Sequence, residues 1–548
     1  MAQTSVCDDD DHRLKSVPLV ESYDTGAGCF LARKFLGNEG PVVCFAIGLF
    51  FFAALRLCES WNFTQRRKGA KIVAREEIDK MNPTIMKFGG TSVEDANAFR
   101  NVAAIVKVAV GLRPVVVVSA IGGFTNVLLA SVQKAIRDDA RAATRLLDHD
   151  LKRHIAIARE LLNPESCAAF ELTVAVARRE IRQLHKIIAV HPVTQPPLQD
   201  EIVAYGEQLS SQLLAAVLRE ENLPARYVDA RRCLKTDDNY GSARPLGETT
   251  TATRSELGQL LESSKIPVLG GFIGSTDKGV TTTLGRGGSD YSAAIFGAAL
   301  EAREIQIWTD VSGVLTADPR IVNKARTIPV LSYQEAAELA YFGAKVLHPK
   351  TIQPAIDCRI PVRVCNSGAA AEAGTLIVSE SEAAPQTIKA IAHKNGITTV
   401  QVSSARMLGA YGFLRALFEV FDSHRTAVDV VTTSEVSVSL SIDDASALPE
   451  LIPDLEQLGT VEVEEHRTII SIIGEGLRNT PGIAARVFAE ISDINVAMIS
   501  VGASSVNLTF MVEEARAIEA IKRLHYVCFE TSEASNSQAE PAVAEVGA

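Results

Sequence analysis

A chain of 548 residues is too long for one compact core, so two or three domains are expected. Hydrophobic residues make up 47% and charged residues 22%, which excludes a largely disordered chain. The net charge of −11 excludes a general nucleic-acid surface, because phosphate binding needs clustered Lys and Arg in excess.

The nine cysteines (Cys7, Cys29, Cys44, Cys58, Cys167, Cys233, Cys358, Cys365, Cys528) form no CxxC pair. That pattern fits a reducing compartment and supplies no zinc or disulfide framework. Residues 1–80 stand apart from the rest. Pro41 to Leu55 is an uncharged apolar run, with Arg33 and Lys34 before it and Arg56, Arg66, Arg67 and Lys68 after it. A spanning helix wants about 20 apolar residues, so the run is short. Asp8 to Asp11 ahead of it is unlike the basic start of a signal peptide. Three readings stay open: a short membrane anchor, an interfacial or poorly ordered extension, and upstream sequence read from an early start codon. The last two are preferred, with globular patterning beginning at Met81.

From Thr84 short β-rich runs alternate with longer amphipathic segments. IMKF leads through Gly89-Gly90 into a helix carrying Val93, Ala96, Phe99, Val102, Ala103 and Val106 on one face. Val115 to Val118 is too continuous to have a wet face and reads as a buried strand. Gln199 to Glu220 reads as a long helix, and Ile266–Gly274 and Glu304–Gly313 as strands running into glycine turns. The alternation indicates an α/β domain, doubly wound around a mostly parallel sheet, over residues 81–378. A polar, proline-containing linker follows Val378.

The remainder repeats itself. Gly412 to Ile442 aligns without a gap on Gly482 to Val512, seventy positions on, with apolar pairs such as Leu417/Val487, Phe421/Ile491, Val438/Leu508 and Leu440/Phe510. Each copy reads strand, helix, strand, strand, helix, strand, giving two ferredoxin-like βαββαβ domains over 388–465 and 466–530. The small-residue tail, 531–548, is expected to be disordered.

Four stretches carry chemistry. In Lys87-Phe88-Gly89-Gly90-Thr91-Ser92-Val93 a strand-end lysine, two glycines and a helix start bring an ammonium and free N–H groups to one point, suited to phosphate. Alone, Gly-Gly is more often a turn. In Leu284-Gly285-Arg286-Gly287-Gly288-Ser289-Asp290, Arg286 can grip a carboxylate and Asp290 can orient a lysine or cation. In Trp308 to Arg320 a strand ends in Thr309-Asp310 where doubly wound sheets bind ligands. Asp318 before Pro319 reads either as part of that site or as a turn former. Phe342 to Pro349 offers Lys345, which taken singly would be a solvated surface residue.

Together KFGGTSVED, VVVVSAIGGFTN, DEIVAYGE, TTLGRGGSDYSA, WTDVSGVLTADPR and FGAKVLHP resemble the amino acid kinase family, specifically the aspartate kinases, from about Thr84 to Phe529. The two repeats resemble the paired ACT domains of such enzymes. The resemblance implies phosphoryl transfer from ATP with Mg²⁺ to the side-chain carboxylate of L-aspartate. It implies Lys87 and Asp290 as catalytic, with Lys87, Gly89, Gly90 and Ser119 around phosphate. Thr125, Glu207, Arg286 and Ser289 then hold substrate, and Thr309, Asp310, Leu315, Arg320 and Lys345 form the nucleotide pocket; no protein metal ligand is assigned. Relatives often carry tyrosine where Leu315 stands, which leaves an adenine-side contact in doubt. A carboxylate acceptor with a reference pKa of about 3.9 is already ionised and needs no general base.

The resemblance extends to an effector site in the first repeat, formed by Met407, Ala410, Phe413, Leu414, Val428, Asp429, Thr433, Ser434 and Glu435. L-Lysine is the expected effector. Ala410 stands where some lysine-sensitive relatives carry serine, which keeps threonine open. The second repeat has Ile499 and Ser505 at the positions of Asp429 and Glu435, so only the first keeps both acids. A homodimer or higher homo-oligomer through the repeats and a cytoplasmic location are also expected. The competing readings are another kinase of the same fold, and an amino-acid sensor whose kinase domain has decayed. Retained Lys87, Glu207, Arg286, Asp290 and Lys345 argue against decay. A fusion to homoserine dehydrogenase would need a further domain after the repeats.

Overall fold

The computed structural model describes residues 82–137, 139–191, 195–343, 347, 349–379, 388–409 and 411–531. The readings made for residues 1–80, Ala344 to Val346, His348, Ala410 and the tail from 532 therefore lie outside the described residues. Among the described residues no helix is long and apolar enough to cross a membrane.

The first layer is an eight-stranded sheet. In chain order it uses β1 (Thr84–Phe88), β2 (Pro114–Val118), β3 (Ala225–Val228) and β4 (Ile266–Gly270), then, beyond a small hairpin of β5 (Ile273–Ser275) and β6 (Thr281–Thr283), β7 (Glu304–Thr309), β8 (Val330–Ser332), β9 (Val362–Asn366) and β10 (Thr375–Val378). The spatial order is β3-β4-β2-β1-β7-β9-β10-β8, and every pair except β9/β10 is parallel. The valine run in β2 shows why. Val116 and Val118 enter one core and Val115 and Val117 the other, all fully buried, so the strand has no wet face. Burying each such side chain contributes roughly 1.5–3 kcal/mol.

Helices cover both faces. On one lie α1 (Ala96–Val108), started by the Asp95 side chain accepting from the Ala98 N–H at 2.8 Å, and a helical layer that the motifs touch only at the start of its first helix and in the first half of its last. That layer comprises α2 (Phe124–Ile136), α3 (Ala140–Leu146), α4 (Asp148–Leu161), α5 (Pro164–Val190) and α6 (Gln195–Glu220). On the other face lie α7 (Gly288–Ala299) and α8 (Tyr333–Tyr341), the latter begun by a reciprocal Ser332–Glu335 capping box.

The repeats share one six-stranded antiparallel sheet. It is built from β11 (Ala390–Ser403), β12 (Val431–Thr433), β13 (Ser437–Ile442), β14 (Thr460–Ile473), β15 (Val496–Val501) and β16 (Asn507–Glu513), in the order β12-β13-β11-β14-β16-β15. Its helices are α9 (Phe413–Ser423), α10 (Leu448–Glu456), α11 (Ile483–Glu490) and α12 (Glu514–His525). The internal repeat is visible at matching positions: α9 and α11 both start after glycines in the left-handed region, Gly412 at φ 85° and Gly482 at φ 83°.

The boundary expected between 465 and 466 needs a correction. Ala390–Lys394 pairs with Ile473–Ile469, and Ile397–Ser403 pairs with Arg467–Thr460, so β11 and β14 each run through both repeats. Ile388 and Ile391 sit in the core of the second repeat beside Ile470, Val487, Phe510 and Phe529. The final strand expected near Phe529 is a helical turn instead, Tyr526–Glu530. Its place in the sheet is filled by the start of β11. The first repeat is thus inserted within the second, because a strand needs a hydrogen-bonded neighbour but not one close in sequence.

Candidate active site

The ends of β1, β2 and β7 meet at one edge of the parallel sheet, where such folds place ligands. Lys87 is nearly buried on the last turn of β1, and its Nζ lies 2.6 Å from Oδ1 of Asp290 in the first turn of α7. The Gly89 N–H donates to the Trp308 carbonyl at 3.0 Å, and the Ser119 N–H to the Phe88 carbonyl at 3.1 Å. The Gly90 carbonyl accepts from the Gly122 N–H at 3.1 Å. A Cβ on Gly90 would stand 3.0 Å from the Ala120 carbonyl, so glycine permits this close approach of two loops.

Around these groups is a cleft of about 640 Å³, lined by Lys87, Gly90, Ser119, Thr125, Glu207, Arg286, Ser289 and Asp290 among others. Four stretches of the chain, 87–90, 119–125, the helix face at Glu207 and 286–290, bring these predicted residues together. Gly89 does not line it, although its backbone fixes the turn. Arg286 is exposed and has no hydrogen-bond or ion-pair partner among the described residues. Glu207 is the opposite case. It is 3% exposed on α6, its Oε2 has no hydrogen-bond partner, and burial pushes its carboxyl up to about 8, offset only in part by a backbone hydrogen bond from Ala120.

The sequence reading gave no role to Asp200, also buried in this wall. Its carboxylate accepts from the N–H groups of Gly241 (2.9 Å) and Thr283 (2.8 Å) and from the Thr283 hydroxyl (3.0 Å), while burial raises its pKa. Asp200 thereby ties α6 to the strand before Arg286. The signal was present in sequence: Asp200, Val203 and Glu207 share one helix face at spacings of three and four, and all line the cleft.

A second cleft of about 560 Å³ is lined by Thr309, Asp310, Gly313, Leu315, Asp318 and Arg320 and, on its far wall, by Leu339, Gly343 and Ile391 to His393. The Thr309 hydroxyl donates to Asp310 Oδ1 at 3.0 Å at the end of β7. Arg320 is largely exposed yet paired in a fork with Asp318, at 3.0 Å through Nε and 2.6 Å through Nη2. The Asp318 carboxylate also accepts from the Arg320 N–H at 2.9 Å, and its pKa is lowered chiefly by Arg320. Asp318 is therefore both turn former and ion-pair partner. The expected contact of Lys345 lies outside the described residues.

The expected effector residues fall on four segments of the first repeat. Asp429 has its side chain almost fully covered. It accepts from the Tyr341 hydroxyl at the end of α8 and from Lys394 Nζ at 3.0 Å. Met407, Phe413 and Val428 are half-buried, whereas Leu414, Thr433, Ser434 and Glu435 are exposed.

A parallel sheet carrying a strand-end lysine, a glycine pair and a buried acid–cation cleft defines a small-molecule phosphotransferase of the amino acid kinase fold. The amino acid kinase family profile matches residues 82–366, and an ACT domain profile matches 470–527. The chain is 38% identical to lysine-sensitive aspartokinase 3 of Escherichia coli, covering 81% of this chain and 99% of the relative. Aspartokinase 1, chloroplastic, of Arabidopsis thaliana is 36% identical, with 86% and 84% covered. The crystal structure of E. coli aspartokinase III with aspartate and ADP superposes with a TM-score of 0.69 at 36% identity, covering 82% of this chain and all of that one. The chain belongs to the aspartokinases, kinase enzymes of the amino acid kinase family with C-terminal ACT domains.

Proposed function

We propose that this aspartokinase transfers the γ-phosphoryl group of ATP to the side-chain carboxylate of L-aspartate, giving 4-phospho-L-aspartate and ADP, the first step toward lysine, threonine and methionine. The observation that carries the reading is Glu207, a buried carboxyl with an unpartnered oxygen facing a cleft whose rim holds Arg286. An α-amino acid supplies the ammonium that Glu207 lacks and the carboxylate that Arg286 lacks. The E. coli relative was solved with aspartate and ADP, which supports the same ligands here.

In this reading Lys87, the Gly89-Gly90 turn and Ser119 surround the transferring phosphoryl group, Asp290 fixes the Lys87 ammonium, and Thr125 and Ser289 line the acceptor. Thr309, Asp310, Leu315, Arg320 and Lys345 serve the nucleotide. The second cleft suits it, with Leu315, Ala317 and Ile391 for an apolar base and Thr309 and Asp310 for polar groups. Among the described residues no three His, Cys, Asp or Glu side chains are grouped for a metal. Mg²⁺ in ATP sites is commonly held by substrate phosphate oxygens, water and one or two carboxylates, and Asp310 in the second cleft could supply one. The acceptor is ionised without a base, so catalysis rests on positioning and on neutralising phosphoryl charge.

Three finer readings accompany this one. L-Lysine is proposed as the effector at Asp429, which already accepts an ammonium from Lys394; the E. coli relative is named lysine-sensitive and was also solved with lysine and aspartate. A homodimer through the first repeat would cover its exposed Leu408, Tyr411, Leu414, Phe418 and Val436. The free thiols Cys167, Cys233, Cys358, Cys365 and Cys528 agree with the cytoplasm as the site of action.

The test is a pH profile. Only ionised Glu207 pairs with the substrate ammonium, so kcat/KM for aspartate rises with pH and levels off above about 8. Glu207→Gln flattens that rise and raises KM for aspartate more than KM for ATP. An unchanged profile in the variant sinks the assignment, and no ADP release with aspartate sinks the function.

A further inference from the structure

Arg153 lies on α4, outside every motif and outside both clefts, yet its guanidinium reaches the two loops that build the acceptor cleft. Nε and Nη2 donate to the Glu94 carbonyl at 3.0 and 2.6 Å, and Nη1 donates to the Gly122 carbonyl at 2.9 Å. Glu94 closes the segment that begins at Lys87 and Gly89-Gly90. Gly122 lies in the loop from Ser119 to Gly123. These loops already touch through the Gly122 N–H and the Gly90 carbonyl. Asp150, one turn back on α4, holds an oxygen 3.7 Å from Nη1. The next residue, His154, is buried and packs edge-on against Phe124, with ring centroids 4.9 Å apart. Phe124 opens α2 directly after the acceptor loop. Two successive residues of one helix thus grip that loop at both ends of Gly122–Phe124, and one of them grips the phosphate loop as well.

We propose that Arg153 is a positioning residue that sets the spacing between the phosphate loop and the acceptor loop, and through it the approach of the acceptor carboxylate to the phosphoryl group. The inference rests on the reading of those loops given above. A guanidinium is a rigid planar fork of five donors, so it fixes two carbonyls at a set separation. A lysine ammonium is a compact point charge and does not span both. Misplacing reacting groups by about 1 Å can cost about 100-fold in rate, whereas ground-state binding of each substrate depends less on the spacing between them.

The experiment compares the full chain with Arg153→Lys, Arg153→Ala and, as a control on the same helix, Arg159→Ala, which loses only a surface pair with Glu171. Steady-state kinetics with ATP and aspartate and thermal unfolding are measured for each. Arg153→Lys is expected to keep its melting temperature, lose about tenfold or more in kcat, and change either KM by less than about threefold. Arg153→Ala falls further and Arg159→Ala matches wild type. Wild-type kcat in Arg153→Lys, or a kcat loss that only follows a loss of melting temperature in both variants, overturns the inference alone. A wild-type chain inactive with aspartate overturns the function reading along with it.

Discussion

The two ACT repeats share a fold and a sheet but are tied to the catalytic domain in different ways. The first has a core of its own, formed by Val400, Val402, Leu417, Phe421, Val438, Leu440 and residues of α10. The core of the second also takes in Ala317 and Val322, from the loop that lines the second cleft. Polar contacts reinforce this join: the Thr316 hydroxyl and His525 Nε2 share a hydrogen bond of 3.0 Å, Arg326 donates to the Phe529 carbonyl at 2.9 Å, and Lys324 pairs with Glu530 at 2.7 Å. One pair of equivalent residues condenses the contrast. Val436 is 45% exposed in the first repeat, and its counterpart Val506 is 4% exposed in the second. Similar sequences can thus end as buried scaffold or as an exposed face, depending on what they are packed against.

Catalytic chemistry sits in neither repeat, and its loss sets the scale for the comparison. On the proposed reading Lys87→Ala removes the ammonium that meets charge developing on the phosphoryl group, so kcat should fall by about 10²–10³ with the fold retained. Stopped or steady-state ADP release measures it, and near-normal kcat would take Lys87 out of the mechanism.

A matched pair of core truncations then separates the repeats. Phe421 and Phe529 are both buried, and replacing either by alanine should cost roughly 3–5 kcal/mol. Phe529→Ala loosens the wall of the second cleft, proposed for the nucleotide, and is expected to raise KM for ATP severalfold with little change for aspartate. Phe421→Ala is expected to leave KM for ATP alone and blunt the response to lysine. Equal effects on ATP would mean that the first repeat is scaffold too.

A third comparison sets the helical layer against the repeats. His185 is buried between the Ser131 and Thr144 hydroxyls, and His154 is buried beside Phe124; burial lowers both pKa values to about 4. Because the unfolded chain takes up these protons near 6.5 and the folded one only near 4, their stabilisation is present above 6.5 and is lost as pH falls toward 4. Each contributes on the order of a few kcal/mol across that window. Denaturation at pH 7.5 and 5 should show a smaller loss for His185→Gln, which keeps hydrogen-bonding capacity without the titration. An equal loss would assign acid sensitivity elsewhere.

Periodic burial was legible in the sequence, and distant pairing was not. The valine run of β2, the α1 face and the seventy-residue repeat all express local alternation of apolar positions. Lys87, Arg286 and Asp290 stood out because charges bracketing paired glycines are more polar than a connector needs, whereas Glu207 entered only through the family resemblance. The pairing of Ala390–Lys394 with β14 depends on partners about eighty positions away, which no local pattern encodes. The same holds for the Asp429–Tyr341 contact and for Arg153, whose local pair with Asp150 reads as an ordinary helix-surface pair while its hydrogen bonds go to distant backbone carbonyls.

The smallest expected effect concerns the proposed effector site. Asp429 accepts from Lys394, whose ammonium also lies 2.8 Å from Asp443 and 5.1 Å above the Tyr341 ring. An effector ammonium arriving at Asp429 must compete with Lys394, and Lys394 keeps Asp443 as a second partner if displaced. The exchange is then nearly balanced in charge, so coupling should be modest, within the usual range of about 1–3 kcal/mol. Asp429→Asn retains the shape but weakens the attraction for either ammonium, and half-inhibition by lysine should move to about tenfold higher concentration, about 1.4 kcal/mol. Lys394→Met tests the other side of the exchange: removing the internal competitor should shift half-inhibition to lower lysine. Titrations with lysine and threonine on both variants decide the matter. If Asp429→Asn responds to lysine as wild type does, the effector does not use this carboxylate. If Lys394→Met is no more sensitive than wild type, Lys394 is a structural partner of Asp429 and not its competitor.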